Sequence, residues 1–317
     1  MFKTYGCILG LIIQSVAFSQ STVTFRRSFI DSFKNRITIT ADYDVWYTHH
    51  AAKDDADDGD IHCSGYDKKI GLATVAEIMN AKNEQQAIDV LIAHEGKGQS
   101  NNPTVSITGV WRLWPEHMGS GSTIKQGTTY SKTEIQSKTT NPDHVFEIHP
   151  VTNLEGMDLT HSLKNIGPDY VPKKWKSSYG KFRVKAFSIS STSKFISFST
   201  KQIGENYIDM WIRIDSLWEV EDGAFAYCTT MDSDFDPGHD EINDKKITNR
   251  TRIAFVKDSE TYNKAIEQGV GGILHILGTP RINLAILSWR EWVSPQRPEV
   301  KTWKLPFEII ADGLIND

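Results

Sequence analysis

The sequence contains few cysteines and, beyond its first residues, no long hydrophobic run. After residue 19 only Cys63 and Cys228 remain, and two cysteines do not form the disulfide framework that stabilises small secreted domains. Hydrophobic burial must therefore hold the fold together. The two thiols either pair in an oxidising compartment or lie buried and unpaired. Because no later segment has the roughly 20 apolar residues of a membrane-spanning helix, we expect no membrane span in the body of the chain.

Basic charge is also in short supply. Residues 20–317 carry 34 lysines and arginines against 40 acidic residues, which gives a net charge of −6. Proteins that bind nucleic acid without sequence preference usually need a basic surface, because their affinity comes from the release of counterions from phosphates. Nucleic acid is therefore a less favoured partner than a small molecule, a glycan or another protein. The oligomeric state stays open.

The first 19 residues have the features of a secretory signal peptide. Lys3 supplies a positive charge, residues 5–16 form a short and mainly apolar run, and the small residues Ala17 and Ser19 precede the expected cleavage before Gln20. We therefore expect residues 1–19 to be removed and the remainder to be exported as a soluble periplasmic or extracellular protein. The alternative is that this run forms a buried first helix.

Alternating polar and apolar residues predict a β-rich first half. Residues 37–46 are rich in β-branched and aromatic side chains and alternate with the period of a strand. The pattern then predicts strands at residues 60–64 and 72–79, a helix at 83–94, and strands at 105–114 and 145–152. Three strands, a helix and two more strands are the order of a five-stranded Greek-key barrel of the OB type.

The second half repeats this plan. Residues 207–218 resemble the first predicted strand in their alternation. They are followed by predicted strands at residues 222–228 and 251–256, a helix at 259–268, and strands at 272–278 and 283–292. The predicted fold is mainly β, with a helix in each of two tandem β-barrel-like (OB-type) domains. The first covers residues 36–154, residues 155–181 form a linker, and residues 182–317 form the second, a candidate diverged duplicate.

Several short motifs of the first half occur in a characteristic order. They are D-G-D-I-H at residues 58–62, A-E-I at 76–78, T-G-V at 108–110, E-H at 116–117 and E-I-H-P-V at 147–151. In this order they resemble exported bacterial OB-fold-like proteins of uncharacterised function. The resemblance covers residues 36–154 and implies the barrel fold without implying an activity. In the second half Ala226 and Tyr227 stand where the histidine would be, so a site built from these motifs belongs to the first domain.

The same motifs place acidic and histidine side chains on predicted strands. Side chains two residues apart leave the same face of a strand, as Asp60 and His62 do on one strand and Glu147 and His149 on another. The candidate metal ligands are Asp60, His62, Glu77, His117 and His149. Such a set suits zinc or manganese, and a metal-bound water could attack a phosphodiester or an ester. The alternative is that the histidines are ordinary hydrogen-bonded barrel residues.

Two tryptophans predict a binding face on the first barrel. Trp111 and Trp114 are three residues apart, so on a regular strand they face opposite ways and one is exposed unless a partner covers it. An exposed tryptophan could stack on sugars or bases, whereas a covered one would pack between the two domains. The candidate ligand-binding residues are Trp111, Arg112, Trp114 and Glu147, and the expected polar face contains Arg112, Trp114, His117 and His149.

Two acidic clusters lie at residues 54–60 and 232–244. The second begins like a calcium loop, but Gly238 comes one position late and Asn243 stands where a closing glutamate is needed. This spacing excludes a regular EF-hand. Loose calcium binding and a plain solvated loop are the two interpretations that remain.

Three functions are compatible with these patterns. The leading expectation is a noncatalytic, exported binding protein with an OB-like domain and an unidentified ligand. The first alternative is a metal-dependent hydrolase that uses the candidate ligands of the first domain. The second is a structural or interaction protein of the cell envelope, in which the tryptophans serve only for packing.

Overall fold

The computed structural model describes residues 20–51, 59–96, 104–127, 139–167, 170–296 and 302–315. The fold is mostly β, with 45% strand and 22% helix, and the described residues form two closed five-stranded β-barrels together with six helices. The predicted fold class is therefore confirmed. Among the described residues, no helix combines the length and the apolar character needed to cross a membrane.

The elements follow one another closely along the chain. In the first half they are β1 (Ser21–Arg26), α1 (Arg27–Phe33), β2 (Thr38–Thr48), β3 (Ile61–Tyr66), β4 (Ala73–Ile78), α2 (Gln85–His94), β5 (Val105–Leu113), β6 (Thr123–Lys125), β7 (Phe146–Leu154) and β8 (Met157–Asp158). In the second half they are β9 (Lys173–Lys174), α3 (Trp175–Phe182), β10 (Ala186–Ser191), β11 (Phe195–Thr200), β12 (Ile208–Val220), β13 (Gly223–Met231), α4 (Ile242–Lys245), β14 (Lys246–Val256), α5 (Glu260–Gln268), β15 (Ile273–Ile282), α6 (Leu284–Val293), β16 (Trp303–Lys304) and β17 (Phe307–Leu314). Helix α3 begins inside residues 155–181, the predicted linker.

The first barrel closes in the order β2–β3–β4–β7–β5 and back to β2. Only its β4–β7 pair is parallel. Along β2 the buried residues Ile39, Ala41, Tyr43 and Val45 alternate with more exposed polar residues, because successive side chains point to opposite faces. Helix α2 connects β4 to β5, so the order of elements is the one that the alternation predicted.

The second barrel has the same order. Its strands close as β12–β13–β14–β17–β15 and back to β12, the β14–β17 pair is parallel, and helix α5 connects β14 to β15. The hydroxyl of Ser259 caps α5 by accepting a hydrogen bond from the backbone of Tyr262. A duplication would produce this shared order, but common descent stays a prediction.

The predicted last strand, residues 283–292, was wrong. This segment forms helix α6, because the side chain of Asn283 accepts a hydrogen bond from the backbone N–H of Ile286 at 2.9 Å and caps the helix. Leu284 and Leu287, three residues apart, then bury one side of it. The fifth strand of the barrel is instead β17.

A third sheet lies outside both barrels and was not predicted. Its order is β16–β10–β11–β1–β6. Strand β1 pairs antiparallel with β11 along its whole length and parallel with β6, which belongs to the long connection between β5 and β7. Segments from four distant parts of the chain therefore meet in one sheet.

The two cysteines and the two tryptophans of the predicted binding face are all buried. Cys63 and Cys228 are both buried and free, so no disulfide links them. Trp111 and Trp114 are 0% and 1% exposed. The guanidinium of Arg281, from the second barrel, lies 3.6 Å above the ring of Trp111. The tryptophans therefore pack against the second half, which excludes a solvent-exposed stacking face at these two positions.

Candidate functional site

Alternation along neighbouring strands places polar side chains on the outer face of the first barrel. His62 on β3 lies opposite Glu77 on β4, while their strand neighbours belong to the core. Glu147 and His149 lie on β7 between core residues. The second barrel covers this face. His62 keeps 24% side-chain exposure, whereas the side chains of Glu77, Glu147 and His149 keep 4% or less.

A tyrosine of the second half fixes the ring of His149. The hydroxyl of Tyr207 donates to Oδ2 of Asp60 and lies 2.9 Å from Nε2 of His149. A phenol has a single hydroxyl proton, and Tyr207 uses it in the hydrogen bond to Asp60. Nε2 of His149 must therefore be the donor towards the tyrosine oxygen. The backbone N–H of Asn80 donates to the other oxygen of Asp60 at 3.2 Å. The contacts therefore assign the Nε2–H form of His149.

The second nitrogen of His149 faces carboxylates. Nδ1 lies 3.2 Å from Oε2 of Glu77 and 3.7 Å from Oε2 of Glu147. Nδ1 of His149 and Oε2 of Glu77 are both buried, yet neither has a hydrogen-bond partner among the described residues. An unsatisfied buried polar atom costs about 1–3 kcal/mol. The pair therefore needs a positive charge between its members, which a proton or a metal ion would supply.

The surrounding charges favour a cation at this position. Burial lowers the pKa of His149, but the negative charges of Glu77, Glu147 and Asp60 outweigh burial and raise this pKa to about 10. At neutral pH the ring therefore carries a proton on Nδ1 whenever no other cation takes its place.

Arg112 forms the next part of the network. It donates one hydrogen bond to Glu147, one to Glu116 at 2.9 Å and one to the carbonyl of Pro280 in the second barrel at 3.1 Å. Burial raises the pKa of Glu147, but Arg112 and His144 outweigh it and lower this pKa well below its ordinary value. Glu147 is therefore a carboxylate that is paired with two cations, Arg112 and His144.

His144 is one of those cations. Its Nδ1 faces the carbonyl of Pro142 at 2.7 Å, and its Nε2 faces Oε1 of Glu147 at 3.0 Å. Both partners are acceptors, so both ring nitrogens carry hydrogen. Burial lowers the pKa of His144, but Glu147 outweighs burial and raises it. The ring of His117 stacks on it with centroids 4.9 Å apart, and burial together with the charge of His144 lowers the pKa of His117.

We call Asp60, Glu77, Arg112, His144, Glu147 and His149 the buried ionic centre. By distance, two groups of three side chains could hold a metal ion, each with donor atoms within 4.8 Å of one another: Asp60 with Glu77 and His149, and His144 with His117 and Glu147. In the second group His144 uses both nitrogens as donors and has no lone pair to offer. In the first group Nδ1 of His149 and Oε2 of Glu77 have no hydrogen-bond partner among the described residues, so no existing hydrogen bond has to break for them to bind an ion once Nδ1 loses its proton. The first group therefore fits a metal ion better.

A carboxyl group of the second barrel lies near this centre. Asp312 on β17 is fully buried, and one of its oxygens accepts a hydrogen bond from the hydroxyl of Thr279. Its other oxygen has no hydrogen-bond partner among the described residues. Burial raises the pKa of Asp312 to about 7, against the lowering effects of His149 and Thr279.

The five predicted metal ligands lie in two adjacent groups. Asp60, Glu77 and His149 come together, and His117 lies instead with His144 and Glu147. Nε2 of His62 is 3.6 Å from Glu77, at the edge of the first group. Metal binding by these residues stays a prediction.

The predicted ligand-binding residues are all buried between the barrels. Trp111, Arg112, Trp114 and Glu147 are each at most 1% exposed. The predicted polar face is therefore covered by the second barrel, and only His117 of that face is more than slightly exposed. Two of the four contact the second barrel directly, since Arg112 donates to the carbonyl of Pro280 and the ring of Trp111 packs against Arg281.

From the first acidic cluster, Asp60 belongs to this site. Residues 54–58 lie outside the described part of the chain. In the second cluster Asp234 and Asp240 lie 3.4 and 3.5 Å from Nζ of Lys245, and Asp236 accepts a hydrogen bond from His239. Loose calcium binding there stays a prediction.

Three residues of the site were missed by the sequence analysis. His144 precedes a predicted strand and carries no local motif. Tyr207 and Asp312 belong to the second half and reach the site only through the packing of one barrel on the other. Only His144 had an available signal, namely its position three residues before Glu147.

No protein-family model, no curated protein and no solved structure matches the chain. The fold and the site define a two-barrel protein with a buried ionic centre at the junction of its barrels. Its function is inferred from that geometry.

Proposed function

We propose that the chain is an exported binding protein that holds one divalent metal ion, zinc or manganese, in the buried ionic centre. The ligands are Asp60, Glu77 and His149. The observation that carries this proposal is the pair formed by Nδ1 of His149 and Oε2 of Glu77, which lie 3.2 Å apart without hydrogen-bond partners. Two ligands about 2 Å from one tetrahedral ion are about 3.3 Å apart, so this spacing suits a shared ion.

Charge balance also supports a divalent ion. The carboxylates of Asp60, Glu77, Glu147 and Glu116 surround the fixed cations Arg112 and His144. The centre itself holds three carboxylates against these two cations, and Glu116 at its partly exposed edge brings the total to four negative charges against two positive charges. Buried charges need nearby compensation, and a divalent ion would supply it while His149 stays neutral.

The surroundings of His149 suit a ligand. Metal-bound histidines usually donate their second ring N–H to a neighbouring group, which fixes the ring and its tautomer. Here Nε2 lies 2.9 Å from the hydroxyl of Tyr207, which in turn donates to Asp60. The nitrogen left over, Nδ1, is the one that faces Glu77.

Burial favours binding over hydrolysis. A catalytic zinc site keeps one coordination position open to water and substrate, and substrate sites are concave pockets. Asp60, Glu77 and His149 are 4%, 3% and 0% exposed, and the second barrel covers them. The role as a hydrolase is therefore the weaker alternative. The export part of the proposal rests on the sequence of residues 1–19, which lie outside the described residues.

The test is metal content. The protein is stripped with a chelator, incubated with zinc or manganese, freed of excess metal and analysed by elemental mass spectrometry. The expected result is about one ion per chain for the natural sequence and a loss of most of that metal in Glu77→Gln and His149→Gln. The matched controls are Glu267→Gln and His239→Gln, which change exposed side chains outside the centre.

Circular dichroism of each variant separates loss of a ligand from loss of the fold. Asp60→Asn, which keeps the shape of the side chain, provides a third variant if His149→Gln fails to fold. Folded Glu77→Gln or Asp60→Asn protein that retains the full metal content would overturn the proposal. So would natural protein that takes up no more metal than the buffer background.

A further inference from the structure

A polar cavity lies on the second barrel, away from the buried ionic centre. Its volume is about 190 Å³, and its walls come from strands β13, β14 and β17 and helices α3 and α6. It is lined by arginine, asparagine, threonine, tyrosine and two apolar side chains, and none of these described lining residues is acidic. A cavity with cations and no carboxylate favours an anionic ligand.

Arg252 is the buried cation of this cavity. It is only 4% exposed, and its guanidinium lies 3.6 Å above the ring of Phe225. One terminal nitrogen donates to the carbonyl of Lys34 at 3.1 Å, and the other has no hydrogen-bond partner among the described residues. Its Nε lies 3.5 Å from Oε2 of Glu308, and Arg281 donates a hydrogen bond to the other oxygen, Oε1, at 2.7 Å, so two arginines share this one carboxylate. Arg252 is therefore only partly neutralised.

Two further donors line the same cavity. Arg250 is exposed, its guanidinium lies 5.2 Å from the ring centre of Tyr227, and it has no carboxylate partner among the described residues. Asn283 is 1% exposed and uses its side-chain oxygen to cap helix α6, and its amide nitrogen has no hydrogen-bond partner in the described part of the chain. Three donor groups with unused hydrogen-bonding capacity therefore surround one small space.

The remaining lining residues indicate the rest of the ligand. Tyr179 and Tyr227 supply aromatic rings, and Asn249 supplies an exposed amide. Pockets for drug-sized molecules usually measure about 300–1,000 Å³, so a cavity of this size suits something smaller. A ring with hydroxyl groups for the amides, an apolar face for a tyrosine and a carboxylate for the arginines matches these features.

We infer that this cavity binds an acidic monosaccharide of the hexuronate class. The carboxylate pairs with Arg252 and Arg250, since a guanidinium matches a carboxylate in charge and shape. The sugar hydroxyls accept hydrogen bonds from the amides of Asn283 and Asn249. The site uses no residue of the buried ionic centre, so it does not depend on the proposed metal.

The test is calorimetric titration of the chelator-treated full chain with glucuronate, glucose and inorganic phosphate at constant ionic strength. We expect one glucuronate site per chain and at least tenfold weaker binding of glucose and of phosphate. If glucose binds as tightly as glucuronate, the arginines do not contribute to recognition of a carboxylate, and the inference is contradicted. Tighter binding of phosphate than of glucuronate would mean that the site takes a simple oxyanion and not a sugar acid. Absence of glucuronate binding at millimolar concentration would contradict the inference.

Variants locate the site. Arg250→Gln changes an exposed side chain and should weaken glucuronate binding at least tenfold without affecting the fold. Arg252→Lys should do the same by removing the planar guanidinium. The matched control is Arg183→Gln, which changes an exposed arginine that does not line the cavity. Unchanged affinity in both cavity variants would contradict the assignment, as would an equal loss in the control.

Discussion

The carboxyl group of Asp312 should make the stability of the protein depend on pH between about 4 and 7. Burial raises its pKa from 3.8 to about 7 in the folded chain. A raised pKa means that the folded state holds the proton more tightly than the unfolded state does. The stabilisation is therefore complete below the unfolded pKa and is lost as the pH rises through about 7.

The size of this effect follows from the shift. One pKa unit corresponds to about 1.4 kcal/mol, so a shift of about three units corresponds to about 4 kcal/mol as an upper limit. For a chain of about 300 residues, with an unfolding entropy of about 2 cal/mol/K per residue, this corresponds to a change of about 6 °C in the melting temperature. The variant Asp312→Asn cannot ionise and should lack this part of the pH dependence.

The assay is thermal and urea unfolding of the natural sequence and of Asp312→Asn at several values between pH 4 and pH 8.5. The difference in unfolding free energy between the two proteins should shift in favour of the variant as the pH rises, and should level off above about pH 8. Asp258→Asn is the control, since it changes an exposed carboxyl. Parallel pH profiles for natural protein and Asp312→Asn would refute the reasoning.

Three other predictions test the interior. Glu147→Gln leaves buried positive charge without its carboxylate and should cost about 3–5 kcal/mol in urea unfolding, whereas a cost below about 1 kcal/mol would contradict the role of the ion pair. Burial raises the pKa of both thiols, so Cys63 and Cys228 should resist Ellman's reagent until the chain unfolds, and a thiol that reacts in the native protein would contradict this. A Cβ at Gly109 would lie 2.6 Å from atoms of strand β7, so Gly109→Ala should destabilise by about 1–3 kcal/mol, while Gly204→Ala, which meets nothing within 4 Å, should be neutral.

The first barrel was predictable because its strands alternate clearly. Ile39, Ala41 and Tyr43 repeat every second residue, and this period alone separates strand from helix. The prediction of a strand at residues 283–292 is wrong. The segment is rich in apolar residues, but it also carries two helix signals, the capping residue Asn283 and the three-residue spacing of Leu284 and Leu287. A short apolar run does not by itself distinguish the two structures.

Long-range pairing explains what the sequence could not predict. Strand β1 pairs with β11, some 170 residues away, and no local sequence pattern predicts that partner. The same limit applies to the site. The two-residue spacing correctly placed Glu147 and His149 on one face of β7, but the partner Tyr207 comes from the packing of the second barrel on the first.

The contacts of Arg281 have a consequence for how the chain tolerates change. This arginine donates hydrogen bonds to the main-chain carbonyls of Arg36, Ile37 and Trp111, at 3.4, 3.0 and 3.0 Å. Every amino acid carries such a carbonyl, so the exposed side chain at position 36 can change without loss of its hydrogen bond to Arg281, whereas the buried Ile37 is constrained by its packing. The second barrel has no such freedom, because a lysine lacks the branched guanidinium that reaches several oxygens at once. Replacement of the exposed Arg36 should therefore be tolerated far better than replacement of Arg281.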